Sequence, residues 1–411
     1  MGAGESADIL IIGAGAAGLM AGIWAGRTFP EQQIVILDSA RKLGAKILVS
    51  GGGRCNVTHD QVDASAYSGS SPHAINKVLR RFDVSQTIAF FRELGVSLKR
   101  EETGKLFPVS DSARTVLAAL VTAVTQTNTE IIHPRRVEKV VKQGEQFHVS
   151  GAWGTMTARR LIIATGGCSL PKSGSDGHGY ALAQSLGHSL TRTFPALVPL
   201  TLPQDHFIRQ LSGVTLPATL KLWSGSGKQL AAFTDSTLCT HFGLSGPSVL
   251  DISRHFIAAR FDDPAARLTI NWLPHMNADQ LDEALQNLGR MTPLNYLRRL
   301  LPDRLAQALC TESGVAADTP GDQLRREVRL ALVQAVTNLL LPIAGDRGYN
   351  YAEVTAGGVP LAELNLKTME SRRCPGLFLC GEICDVDGRI GGYNFQWAWA
   401  SGYTAGISVG V

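Results

Sequence analysis

The stretch that most constrains this chain is its first: residues 8–12 read DILII, residues 13–18 read GAGAAG, and residues 34–38 read IVILD. A short apolar run bounded by glycines is a buried strand, and residues 17–27 carry helical spacing that stops before Pro30. The result is a strand–turn–helix–strand unit with GxGxxG at its turn. Asp38 follows 20 residues after the last glycine (38 minus 18), the spacing of a dinucleotide site. Gly13 permits the tight turn, Gly15 lets a pyrophosphate approach the backbone, and Gly18 lets helix and strand pack closely. The helix N-terminus offers unpaired N–H groups and the positive end of its dipole to phosphates, while Asp38 accepts from a ribose hydroxyl.

The same stretch contains an uncharged run of 18 residues, 9–26, in which Gly18, Gly22 and Gly26 imitate the spacing of transmembrane helix pairs. Glu5 and Asp8 precede it in place of a basic flank, and its character changes midway from ILII to glycine punctuation, so no membrane span is expected. With 44% hydrophobic and 18% charged residues, the 411-residue chain reads as globular and neither disordered nor membrane-embedded. A net charge of +4 is too mild to indicate nucleic acid without a local patch. The seven cysteines form no CxxC pair, which points to reduced thiols and a cytoplasmic location. No metal is expected: Cys380 and Cys384 lack a histidine or a second cysteine pair to complete a zinc set.

Further along, residues 74–95 and 112–127 read as helices, residues 130–141 and 146–149 as strands, and residues 160–167 (RLIIATGG) as a buried strand running into glycines. From about residue 190 alternating segments with turn signals suggest a small antiparallel barrel or sandwich, and residues 277–341 read as several helices. The glycine style returns after residue 345. The expected architecture is an α/β fold in which a Rossmann-like nucleotide-binding domain (1–190 and 345–411) is interrupted by a β-barrel (191–274) and a helical insert (275–344).

The segment KILVSGGGRCNVT, residues 46–58, places three consecutive glycines before a cation, a thiol and an amide. Glycine loses more freedom on folding than any other residue, so such a run reads either as a tight turn or as backbone lying against something large and polar. Near the C-terminus, residues 377–380 read as a strand, Glu382 follows, and GGYN at 391–394 leads into a helix rich in tryptophan.

GAGAAG, RKLGAKILVSGGGRCNVT, IIATGG, THFGLSGP, EVTAGGV and GEICDVDGRIGGYNFQWAWASG occur in this order along nearly the whole chain. Together they resemble the BaiN/RdsA family of FAD-dependent oxidoreductases, similar in fold to the fumarate-reductase and thioredoxin-reductase flavoproteins. The resemblance implies FAD as cofactor, with contacts from Gly13, Gly15, Ala17, Gly18, Asp38, Lys46, Gly51, Gly52, Gly53, Arg54 and Asn56 in the N-terminal half. It extends them to Val137, Thr165, Gly166, Glu382, Gly391, Gly392, Tyr393, Asn394 and Phe395. Lys46 and Arg54 would neutralise phosphate or an anionic substrate, and Glu382 would meet the ribityl hydroxyls. The helix beginning near Phe395 would stabilise the reduced flavin's negative charge.

One complete dinucleotide fingerprint leaves NADH or NADPH to act as a transient electron donor without its own Rossmann domain. The implied chemistry is hydride transfer from flavin to the β-carbon of an alkene conjugated to a carbonyl, with a protein acid or water protonating the α-carbon. Candidate acids are His241 in THFGLSGP and Cys55, and Arg54 is the candidate for polarising the carbonyl. Asp176, His178 and Tyr180 follow a glycine segment, where capping a helix is an equally good account. Family members reduce a uridine of large-subunit ribosomal RNA to dihydrouridine, or small-molecule enones of the steroid and bile-acid type. Arginines at 298, 299, 304, 325, 326 and 329 support the RNA substrate, unless they are a solvated helix face. A flavin-containing RNA-binding protein without turnover is the non-enzyme alternative, and the oligomeric state is left open.

Overall fold

Ile9, Leu10 and Ile11 are completely buried, as consecutive residues of a strand must be when both faces of its sheet are covered. The computed structural model describes residues 5–410. One compact unit comprises the chain up to Pro195 together with the segment from Glu353 onward, and Ala196–Ala352 forms the other.

The first unit is built on a nine-stranded sheet. Thr129–Ile132, Ile34–Leu37, Glu5–Ile12, Gly154–Ile163 and Leu377–Leu379 lie side by side in that order, all parallel. Leu364–Asn365 and Glu370–Ser371 extend one edge, and the hairpin of Lys139–Gln143 and Gln146–Gly151 pairs antiparallel with the first half of Gly154–Ile163. The helix Ala16–Thr28 turns its small residues onto this sheet. A Cβ at Gly22 would lie 2.6 Å from Ile36 Cδ1, and one at Gly26 2.8 Å from Thr129 Oγ1. The glycine stripe of the 9–26 run is therefore a helix-on-sheet contact, and the run itself is a strand, a turn and a helix. Among the described residues no helix is long and apolar enough to cross a membrane, and no group of histidine, cysteine and acidic residues is placed to hold a metal.

Two expectations for this unit need correction. Residues 74–95 are two helices, Pro72–Leu79 and Val84–Glu93, because Asp83 caps the second through a reciprocal pair of bonds with Gln86. Residues 130–141 are two strands, Thr129–Ile132 and Lys139–Gln143, separated by a connection that contains Pro134, which has no N–H to give a ladder.

The second unit holds a seven-stranded antiparallel sheet. Its order is Leu339–Leu341, Arg267–Asn271, Thr215–Trp223, Gln229–Thr240, Gly243–Ser245, Leu200–Thr201 and Gly345–Asp346. Hydrogen bonds arrange these strands in a line where a closed barrel is the expectation. The helix Pro247–Asp262, not foreseen in this region, packs on the two longest strands and starts with proline in its first turn, where the missing N–H costs nothing. Residues 339–341, read as the tail of a helix, form a strand: the helix Arg326–Thr337 ends at Asn338 and Leu339–Leu341 pairs with Arg267–Asn271.

Within the first unit a buried polar network joins three segments. His188, whose side chain has no exposed surface, donates from Nδ1 to Glu363 Oε2 at 2.7 Å, and its Nε2 meets Ser371 Oγ at 2.8 Å. Ser189 donates to Glu363 from both its N–H and its hydroxyl. Burial pushes the Glu363 carboxyl up, but the bonds from Ser189 and His188 outweigh it and hold it below its ordinary value. A lowered carboxyl stabilises the fold above its unfolded value of about 4.5 and loses that contribution as pH falls below it. Glu363→Gln is expected to cost about 1–3 kcal/mol at pH 7, with the gap to the parent shrinking below pH 4.5. Chemical denaturation across pH measures it, and a gap that stays constant into acid would refute the assignment.

Candidate functional site

Register gathers the site. Ile12 pairs with Leu37 and with Ile163, Ile163 with Leu379, and Leu37 with Ile132, so these strands end level with one another. The segments that leave them are Gly13–Gly18 in number order, Asp38, Ala164 to Gly166, and Cys380 to Glu382. Ligands of open α/β sheets bind outside such carboxyl ends.

The three fingerprint glycines sit in different surroundings. A Cβ at Gly13 would lie 2.5 Å from Ala164 O and one at Gly18 only 1.8 Å from Gly13 O, whereas at Gly15 nothing lies within 4 Å. Gly13 and Gly18 are closed by the protein's own backbone, and Gly15 faces open space at the start of the helix Ala16–Thr28, which has no side-chain cap. Free N–H groups at a helix start with room in front of them suit an anion. Asp38 bridges the turn, accepting from Ala14 N–H at 2.6 Å and Ala40 N–H at 2.7 Å, and its carboxylate retains lone pairs for a further donor. Ala17, on the first turn of this helix, is buried.

In the second segment Gly51, Gly52 and Gly53 have φ of +56°, +69° and +88°, so the chain coils left-handed where side chains are disfavoured. Gly51 abuts the Phe107 ring, and nothing lies within 4 Å of a Cβ at Gly52. Lys46 Nζ is ion-paired with Glu382 Oε2, and Glu382 Oε1 accepts from Thr355 N–H at 2.9 Å. These two expected cofactor residues thus neutralise each other. Asn56 Oδ1 and Thr165 Oγ1 are buried and make no hydrogen bond among the described residues. Buried polar atoms are nearly always satisfied, so two orphans in the expected cofactor segments fit a polar ligand that completes them. Gly166 follows Thr165 at φ +73°, and Val137 is buried before the hairpin.

Two proposed catalytic side chains are otherwise engaged. Cys55 is fully buried, at φ +62°, and burial pushes its thiol up to about 12, which argues against it as a proton donor near neutral pH. Arg54 lies 4.0 Å over the Phe107 ring and donates to Glu101 at 2.6 Å, so its charge is already balanced. Asp176 accepts from His178 N–H at 3.1 Å and pairs with Arg136, which is the helix-start role. Tyr180 is buried.

The helix Tyr393–Gly406 clamps two of the segments together. Trp397 donates to Gly381 O at 3.0 Å, Ser401 accepts from Gly381 N–H at 2.9 Å, Trp399 donates to Val57 O at 2.8 Å, and Gln396 accepts from Thr58. Gly392 precedes it because a Cβ there would lie 2.6 Å from the Thr58 carbonyl carbon. Several side chains expected to meet the cofactor instead hold this turn. Asn394 brackets the backbone of Gly388, Phe395 stacks on Trp399, and Tyr393 stacks on His59. Gly392, the residue before the helix, has no side chain with which to cap it.

Thr355 and Lys105 were not foreseen. Thr355 Oγ1 accepts from the N–H groups of Cys168 and Ser169, fixing the loop after Gly166; the adjacent glycines of VTAGGV were its only signal. Lys105 Cε lies 3.6 Å from a Cβ position at Gly391, and a lone lysine in a strand carries no sequence signal.

The second unit carries His241 on the exposed turn between Gln229–Thr240 and Gly243–Ser245, its carbonyl accepting from Arg209 at 2.7 Å. Of the six insert arginines, Arg298 pairs with Asp303, Arg304 donates to Gln210 O and Ser212 O, and Arg329 pairs with Asp282. The side chains of Arg299, Arg325 and Arg326 are exposed and make no hydrogen bond or ion pair among the described residues, although the charge of Arg326 helps lower the Asp282 carboxyl. Half of the expected patch is therefore spent on the fold.

The glycine geometry separates binding from folding. Gly15→Leu is expected to leave apo-protein stability within about 1 kcal/mol of the parent and to abolish FAD retention. Gly18→Ala should cost about 3 kcal/mol or more through overpacking. Denaturation of the apo-proteins and cofactor absorbance check both; retained FAD in Gly15→Leu would refute the phosphate site.

A family model described as HI0933-like protein Rossmann domain matches residues 7–408. The chain is 37% identical over 401 residues to a 3-dehydro-bile acid delta(4,6)-reductase of Clostridium scindens, covering 96% of this chain and 97% of that protein. It is 36% identical over 402 residues to a ribosomal RNA dihydrouridine synthase of Escherichia coli, covering 97% of each. An E. coli quinol fumarate reductase FrdA structure aligns with a TM-score of 0.52 at 15% identity, covering 98% of this chain and 70% of that one, a likeness of fold. With a model match spanning almost the whole chain and full-length relatives above 30% identity, the chain belongs to the HI0933-like flavoprotein family of FAD-dependent oxidoreductases.

Proposed function

We propose that the protein reduces a carbon–carbon double bond conjugated to a carbonyl, and that its substrate is a uridine of ribosomal RNA, converted to dihydrouridine with NADH or NADPH as electron source. The observation that carries this reading is the full-length likeness to the E. coli ribosomal RNA dihydrouridine synthase, repeated at 33% identity over 414 residues in that of Haemophilus influenzae. Exposed Arg299 and Arg325 support it as cations able to meet phosphate.

FAD, when bound, supplies the hydride. The chain's own residues would hold it: the open face at Gly15 and the first N–H groups of Ala16–Thr28 the pyrophosphate, Asp38 the ribose, and the Lys46–Glu382 pair the hydroxyl-bearing chain. Asn56 and Thr165 would each spend an unpaired oxygen on the cofactor. The N-terminal end of Tyr393–Gly406, the positive end of its dipole, would favour negative charge on the reduced ring. Of the two candidate acids His241 is favoured, since burial pushes the Cys55 thiol up; Arg54, the candidate for polarising the carbonyl, is paired with Glu101.

A second reading, reduction of a small steroid-type enone, is favoured by the equally long match to the C. scindens bile-acid reductase. Nucleoside mass spectrometry of ribosomal RNA from a deletion strain and its parent separates the two. Loss of dihydrouridine on deletion, restored by purified enzyme with a nicotinamide donor, is expected. Unchanged dihydrouridine, together with enone-dependent reoxidation of the reduced flavin, would establish the second reading instead.

A further inference from the structure

We propose that Arg347, clamped between Phe242 and Tyr351 in the second unit, forms with Tyr351 a single-stranded nucleotide site: the guanidinium edge takes a phosphate and the outer face of Tyr351 stacks a base. The proposal rests on the RNA reading given above and adds to it where the strand is held.

Backbone pairing builds the cluster. Leu200–Thr201 is flanked on its two sides by Gly243–Ser245 and Gly345–Asp346, with Thr201 opposite both Gly243 and Gly345. Bonds just beyond the strands, Leu202 N–H to Phe242 O at 3.0 Å and Arg347 N–H to Pro199 O at 3.2 Å, fix Phe242 and Arg347 on opposite sides of that strand. The turn that follows is closed by Gly348 N–H to Asp346 Oδ1 and by Tyr351 N–H to Gly348 O. The Arg347 guanidinium carbon then lies 3.5 Å from the Tyr351 ring centroid and 4.3 Å from that of Phe242.

A guanidinium held against two rings has given up most of its rotamer freedom on folding, so little remains to be lost when it binds. Among the described residues its fork of donors makes no hydrogen bond or ion pair, in contrast to Arg54, Arg298, Arg304 and Arg329. A planar, always-charged fork with free edges matches phosphate oxygens bidentately. Tyr351 is 51% exposed and uses one face on Arg347, which leaves the other for a flat partner. Arg209, which binds the carbonyl of His241 next to Phe242, adds a second cation to the neighbourhood. Exposed aromatic faces beside cations are how proteins hold single strands, because every base has a π-face and every nucleotide a phosphate. A steroid would instead call for an enclosed apolar pocket.

The test uses the FAD-loaded enzyme and a fluorescein-labelled, uridine-containing single-stranded oligoribonucleotide, with binding read by anisotropy over a range of salt. Tyr351→Ala is expected to weaken binding about 5- to 100-fold with an unchanged salt slope. Arg347→Met should weaken binding and lower the slope by about 0.7, the contribution of one phosphate. Arg347→Lys should restore the slope without the full affinity. Flavin content and thermal stability report that each variant is folded. If the parent binds and reduces RNA while all three variants bind as it does, this site is wrong and the proposed reaction stands. If the parent binds no RNA and reduces only a small enone, both fall together.

Discussion

Residue 18 has to be glycine: a Cβ there would lie 1.8 Å from the carbonyl oxygen of Gly13, and one at Gly13 would lie 2.5 Å from that of Ala164. The first helix, the first turn and the segment that leaves the strand Gly154–Ile163 at Ala164 are therefore in direct backbone contact, with no side chain between them. This contact aims the start of Ala16–Thr28 across the carboxyl end of the sheet, and it leaves Gly15 as the fingerprint position with space in front of it. Asp38, at the end of the neighbouring strand, closes on Ala14 and fixes the same turn from the other side. The C-terminal helix completes the frame by bonding both Gly381 and Val57, so four segments distant in sequence are held level.

Within this frame charge is distributed in a way that separates structure from binding. Lys46 meets Glu382 and Arg54 meets Glu101, so these four ions are neutralised inside the protein, while Asp38 accepts from the neutral N–H groups of Ala14 and Ala40. Beside the Asp38 carboxylate, what the site leaves open is neutral: N–H groups at the start of Ala16–Thr28 and the unpaired oxygens of Asn56 and Thr165. Such groups bind with directional hydrogen bonds and carry no net charge to be desolvated, which suits a large, mostly polar cofactor. In the second unit Arg347 is the opposite case, an uncompensated charge held rigid by aromatic rings.

The strand–turn–helix unit and the glycine segments could be read from sequence because their signals are local: apolar runs, glycine spacing and an acid at a fixed distance. The breaks at Asp83 and across residues 133–138 are also local but are short against a continuous apolar pattern, and the strand Leu339–Leu341 exists only through pairing with Arg267–Asn271. The side chains were hardest. Cys55 shares a motif with Asn56, yet one is packed into the core and the other presents an unpaired oxygen. Arg54 is matched by Glu101, 47 residues away, and no spacing rule announces that pair. Arg347 and Phe242 are brought together by two strands on either side of a third, a contact that only the sheet order creates.

The account turns on the claim that the level strand ends cradle a flavin dinucleotide. Acid release of the cofactor from purified protein, followed by chromatography, tests it most directly. A yellow protein that yields FAD is the expected result, since the open turn at Gly15 and Asp38 face groups that FMN lacks. Recovery of FMN alone, or a colourless protein that takes up no FAD on incubation, would contradict it.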